Sequence, residues 1–168
     1  RWHPGGLPGV RISTYGARMI EFQNLTKTYG PLCAVDGLSL RVERGEVYAL
    51  LGPNGAGKTT ALRCLATLQA PTSGTALVGD ADVREQPLAV RARIGFLAAS
   101  MGLYERLTPV ELLQYFGRLH RMEGPALEGR GAELTHMFGI TPFASQRCGT
   151  LSTGQAQRVS VARALVHD

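Results

Sequence analysis

The chain of 168 residues is 44% hydrophobic and 18% charged, a balance that suits one globular domain with a sizeable core and excludes collagen-like, coiled-coil and disordered classes. Within the net charge of +5, Arg1, Arg11 and Arg18 lie in an acid-free N-terminal stretch, so the nearly neutral body lacks the basic footprint of a nucleic-acid binder. Cys33, Cys64 and Cys148 form no C-x-x-C pair, which argues against a disulfide framework or a zinc site and suits a reducing cytoplasm, and no run approaches the ~18 apolar residues of a membrane span.

Residues 1–18 combine Pro4 and Pro8 with glycines and show no hydrophobic period, which predicts a disordered tail or upstream read-through before Met19. Ile20 and Phe22 alternate with polar neighbours, as do Leu38, Leu40 and Val42, and both patterns predict half-buried strands. A turn over residues 43–46 follows. Val47-Tyr48-Ala49-Leu50-Leu51 is a continuous apolar run of the kind buried on both faces of a parallel sheet. After a glycine-rich loop, residues 60–68 read as a helix that Pro71 stops, and residues 75–78 as another strand. Residues 84–93 are expected to be helical and 94–97 extended. Thr108-Pro109-Val110-Glu111 combines an N-cap threonine, a first-turn proline and a glutamate three residues after the cap, and so predicts a helix start. Leu112, Leu113, Tyr115, Phe116 and Leu119 give that helix its apolar face. Further helices are predicted over residues 132–138 and 159–166.

Gly52-Pro53-Asn54-Gly55-Ala56-Gly57-Lys58-Thr59 fits G-x-x-x-x-G-K-[ST], between a predicted strand and a helix that continues through Thr60. At the chain's own residue frequencies a chance match is expected in only ~0.4% of such sequences. Glycines let the backbone wrap an anion, successive N–H groups and the helix N-terminus face the phosphates, Lys58 reaches the β- and γ-phosphates as the catalytic cation, and the Thr59 hydroxyl ligates Mg²⁺. A glycine turn without a ligand is the plainer alternative. By itself the loop leaves kinases, GTPases, helicases and transport ATPases open.

Leu151-Ser152-Thr153-Gly154-Gln155, followed by Val159-Ser160-Val161-Ala162-Arg163-Ala164-Leu165, resembles the signature loop and helix of ATP-binding-cassette (ABC) ATPases. Read without that family, it is an ordinary helix N-cap. Tyr29 in Thr28-Tyr29-Gly30 sits where the family places an aromatic ring on adenine, and Ala34-Val35-Asp36-Gly37 and Pro71-Thr72-Ser73-Gly74 look like its linking segments. The stretch from Ile94-Gly95-Phe96-Leu97 to Gly102-Leu103-Tyr104-Glu105-Arg106-Leu107-Thr108 is most similar to bacterial sodium- and drug-extruding members.

The resemblance implies an α/β fold over residues 19–168: a P-loop NTPase (RecA-like) core with an N-terminal antiparallel β portion and a helical subdomain near residues 103–150. It implies an ATP-binding subunit of an ABC transporter, an exporter, that binds ATP with Mg²⁺ through Tyr29, residues 52–60 and residues 152–155. A second copy would meet it head to tail, so that Ser152, Thr153, Gly154 and Gln155 close on the other copy's ATP. A membrane-spanning permease would hold it on the cytoplasmic face of the membrane, docking around residues 101–108. The alternatives are a soluble ABC ATPase of DNA repair or translation, and an ATP-binding chain without hydrolysis.

Three departures bear on these expectations. Where relatives carry a magnesium-binding glutamine, this chain reads Ala98-Ala99-Ser100-Met101. Thr153 replaces a glycine, and its Cβ narrows the approach to phosphate. The family's Asp-Glu strand and histidine switch would lie after Asp168, so a truncated chain is expected, one that is inactive alone and prone to aggregate for want of a central strand. His167 is expected to be a solvated histidine at a helix end.

Overall fold

A computed structural model describes residues 18–98 and 102–167. The expectations for residues 1–17, for Ala99-Ser100-Met101 and for Asp168 lie outside these residues. The described chain forms two compact units, divided after Arg93.

The first unit is built on an antiparallel sheet of β1 (Arg18–Tyr29), β2 (Leu32–Glu43), β3 (Ser73–Val78) and β4 (Ala81–Asp82), in the order β2-β1-β3-β4. The alternating residues do what their period demands: Phe22, Leu25, Leu38 and Val42 are buried, and their neighbours face outward. β1 and β2 run longer than the alternation predicts because irregularities between Phe22 and Leu25 shift the register. Asn24 takes a positive φ of 48° there, and Gly74 of β3 passes so close that a Cβ would stand 2.1 Å from the Asn24 carbonyl oxygen. Helix α1 (Lys58–Leu65) buries Ala61, Cys64 and Leu65, and the short α2 (Pro87–Arg91) buries Val90.

The apolar run at 47–51 does not form the expected buried parallel strand. Val47 is 95% exposed and Leu51 80%, and the run pairs with no strand among the described residues. Hydrophobicity supplies a reason for burial but not the ladder that satisfies backbone N–H and C=O groups, and a strand in the interior of a parallel sheet needs that ladder on both sides. Residues 94–97 likewise join no sheet. The parallel core expected for a P-loop NTPase is therefore not among the described ladders.

The second unit holds α3 (Pro109–Leu119), α4 (Gly124–Met137) and α5 (Thr153–Ala164), with single 3₁₀ turns at Thr141–Phe143 and Cys148–Thr150. Leu112, Leu113, Leu134, Ile140, Val159 and Val166 are wholly buried together, each contributing about 1.5–3 kcal/mol by leaving water. The Thr108 cap forms as predicted: Thr108 N donates to Glu111 Oε2 at 2.8 Å and Glu111 N donates to Thr108 Oγ1 at 3.3 Å. The Thr108 amide foremost, and the Thr108 hydroxyl that donates to the same Oε2 at 3.1 Å, hold the Glu111 carboxyl below the usual carboxylate range. Gly117 lets α4 approach α3, since a Cβ there would stand 2.2 Å from Leu127 Cδ1. α4 begins eight residues before the predicted helix, because Gly124, Gly129 and Gly131 dilute its hydrophobic period. His167 is not solvated. It is half-buried, stacks ring on ring with His120 at 3.8 Å, and places Nε2 3.0 Å from the Ile94 carbonyl oxygen.

Candidate functional site

The predicted phosphate loop leaves β2 through the turn after Glu43 and enters α1 at Lys58. Gly57 is the residue before the helix, in the left-handed region at φ 84°. A Cβ on Gly57 would stand 2.1 Å from the Ala34 carbonyl oxygen, so glycine is required both by conformation and by the closeness of β2. Gly55 also has a positive φ, 83°, but nothing crowds it. No side chain caps α1 and its first turn carries no acid. Its leading amides and the positive end of its dipole are thus left without an internal counterpart.

Lys58 Nζ donates to the carbonyl oxygens of Gly52 at 2.6 Å and Pro53 at 2.7 Å. The ammonium is folded back over the loop it belongs to, where it reinforces the positive potential at the helix start. Thr59 lies exposed in the first turn and Thr60 is half-buried beside it. A hydroxyl is a hard oxygen donor suited to Mg²⁺, which keeps several waters and takes phosphate oxygens as well, so Thr59 fits the metal as its protein ligand. Asn54 and Gly55 form the exposed tip of the loop, and Ala56 closes the turn by donating its N–H to the Pro53 carbonyl at 3.3 Å. Behind the loop, Val35 and Leu38 of β2, Leu50 and Ala61 of α1 line a small cleft.

Tyr29 closes β1 and is 43% exposed. β2 relates it to the loop: Lys27, two residues earlier, is in register with Val35, whose Cγ2 would stand 3.2 Å from a Cβ on Gly57. The Tyr29 hydroxyl donates to Gln69 Oε1, and Lys27 Nζ stands 5.2 Å from the centre of the Tyr29 ring. Gln69 does not stand out in the sequence, and Lys27 does so only as one of its two lysines. A further signal was the spacing of Lys27 and Tyr29, which places both side chains on one face of a strand.

Ser152, Thr153 and Gly154 lie exposed in the second unit, where Ser152 is the N-cap of α5. Ser152 N donates to Gln155 Oε1 at 2.9 Å, and Gln155 N donates to Ser152 Oγ at 3.3 Å. The loop caps itself, as the plainer reading of the motif expects. Open space surrounds Gly154, and no acid lies in the first turn of α5. Later in that helix Arg163 is buried, with its guanidinium 5.2 Å from the Phe116 ring centre and Nη1 donating to the Gly102 carbonyl at 3.5 Å. Burial pulls its pKa down.

No helix among the described residues is long and apolar enough to cross a membrane. The chain is 45% identical over 136 residues to the ABC transporter ATP-binding protein NatA of Bacillus subtilis (strain 168), a match covering 80% of this chain and 55% of that protein. It is 41% identical over 155 residues to the daunorubicin/doxorubicin resistance ATP-binding protein DrrA of Streptomyces peucetius, covering 92% of this chain and 47% of that one. It therefore spans about half the length of each. Among solved structures, an ATP-binding subunit of an ABC transporter superposes with a TM-score of 0.79 at 26% identity, over 89% of this chain and 62% of that one. A nucleotide-free ATP-binding cassette from an ABC transporter gives 0.75 at 22% identity, over 89% and 65%. The α/β fold is thus that of the ABC nucleotide-binding domain. A profile of the ABC transporter family matches residues 35–168, phosphate loop and α5 included, and the chain belongs to that family.

Proposed function

We propose that the chain acts as the ATP-binding subunit of an ABC exporter, taking MgATP at the phosphate loop and coupling its hydrolysis, in the complete protein, to transport through a membrane-spanning permease. The observation that carries this is the start of α1. There, amides with no side-chain cap, a glycine pressed against β2 and a lysine folded over the loop make a positive cradle for a polyphosphate. Lys58 draws charge from the β- and γ-phosphates, and Tyr29 offers its ring to adenine, a stack worth roughly 1–3 kcal/mol. Mg²⁺, when bound through Thr59, neutralises phosphate charge.

Residues 152–155 are read as the contact to ATP held by a second copy. The names of the relatives, an ATP-binding protein of a transporter and one of drug resistance, support the exporter assignment and a place on the cytoplasmic face of the membrane. The decisive experiment is Lys58→Ala in the full-length protein, with MgATP binding read by calorimetry. At least a ten-fold loss of affinity is expected, and undiminished affinity and turnover would remove the assignment.

A further inference from the structure

We infer that Lys27 and Gln69 are positioning residues that hold the Tyr29 ring as a one-sided platform for the nucleobase, an inference that rests on reading Tyr29 as the base-binding ring. Tyr29 is the last residue of β1, and Gly30, with φ +54°, turns the chain away behind it. A half-exposed ring at a strand end is free to rotate among its staggered wells unless something fixes it. Two contacts do so from different directions. The hydroxyl donates to Gln69 Oε1, which sets the direction of the ring axis. Lys27 Nζ lies over the ring 5.2 Å from its centre, which occupies one face.

Neither contact is loose. Lys27 Nζ also donates to the Ala70 carbonyl oxygen at 2.8 Å, so the ammonium is itself tethered. Thr28 N donates to Thr72 Oγ1 at 3.0 Å, and Thr72 N donates to the Thr26 carbonyl at 2.8 Å. The end of β1 is therefore fastened along residues 69–72, the segment that follows α1, the helix whose other end is the phosphate cradle. With one face under Lys27, a base can stack only on the other. A ring fixed in advance loses less freedom when the base arrives, which corresponds to a gain in affinity of about three- to ten-fold.

The experiment uses the full-length protein with Mg²⁺ and compares ATP with inorganic tripolyphosphate, which has no base, by calorimetry. Lys27→Met and Gln69→Leu are each expected to weaken ATP about three- to ten-fold and to leave tripolyphosphate within two-fold. KM for ATP should rise while kcat holds. Lys27→Arg and Gln69→Glu, which keep a cation and an acceptor, should restore ATP binding. In a Tyr29→Ala background neither Lys27→Met nor Gln69→Leu should have a further effect. Equal losses for ATP and tripolyphosphate overturn the inference, as does unchanged ATP affinity in both variants when Tyr29→Ala alone weakens ATP. Unchanged affinity in Tyr29→Ala itself would instead remove the reading of Tyr29, and the positioning role with it.

Discussion

Helices α1 and α5 both begin at residues read as phosphate contacts, yet their first turns are built in opposite ways. α1 starts on an uncapped glycine held at φ 84° against the Ala34 carbonyl. α5 starts on a serine whose hydroxyl and amide are both engaged with Gln155. The first is ready for an anion as it stands. The second caps itself through the Ser152 oxygen as acceptor, so a phosphate meets a helix start whose cap is already made and takes only the donor side of that hydroxyl. α3 is a third case: Glu111 supplies negative charge to its first turn, as an ordinary structural helix does. A cap without an acid thus leaves α5 between a purely structural start and the open cradle of α1.

The contrast is tested most severely at the glycines. Gly57→Ala would drive a methyl to 2.1 Å from a backbone oxygen at a left-handed φ. It should cost about 3 kcal/mol or more of stability and abolish ATP binding, read by denaturant unfolding and calorimetry. Gly55→Ala, at φ 83° with nothing near its Cβ, should cost only about 1–2 kcal/mol. Equal losses at the two positions would show that conformation, and not the contact with β2, makes glycine necessary.

At α5 a smaller effect is expected. Ser152→Ala should destabilise by about 1 kcal/mol, and Ser152→Gly by only a few tenths. Should the hydroxyl also reach phosphate on a second copy, both variants lower the ATPase of the full-length protein alike, despite their different stabilities. Activities that simply follow stability would leave Ser152 as a helix cap and nothing more.

The smallest effect belongs to α3. Because its hydrogen bonds to Thr108 lower the Glu111 pKa, their contribution is complete above the ordinary glutamate range near ~4.3 and disappears as pH falls through the lower folded value. Amide exchange in the first turn of α3 should accelerate on acidification. In α5, whose cap is built from Ser152 and Gln155, that response should be missing.

What could be read from the sequence follows the range of the forces involved. The start of α3 was legible because a cap and its partner lie three residues apart. The order of the phosphate loop was legible for the same reason, from Gly52 to Thr59. The three-residue spacing also marks Ser152 as a cap, yet the helix behind it was expected only from residue 159, six residues after α5 begins. The run at 47–51 was misjudged because its fate depends on a distant ladder that no local pattern encodes. The first half of α4 was hidden by glycines, and the two-residue β4 was too short to leave a period. The candidate site was half visible: Tyr29 was singled out through a resemblance, whereas Gln69, which accepts from its hydroxyl, lies forty residues away in a segment with no motif of its own.

The meeting of Gly57 with Ala34 has a mechanical consequence. Where only a hydrogen separates two main chains, neither can move toward the other without displacing it. A shift of Gly57 toward β2 is met by the strand that pairs with β1 up to Tyr29. On the function proposed above, the holds on the tail and on the base share one stretch of β2 in which a single methyl group would find no room.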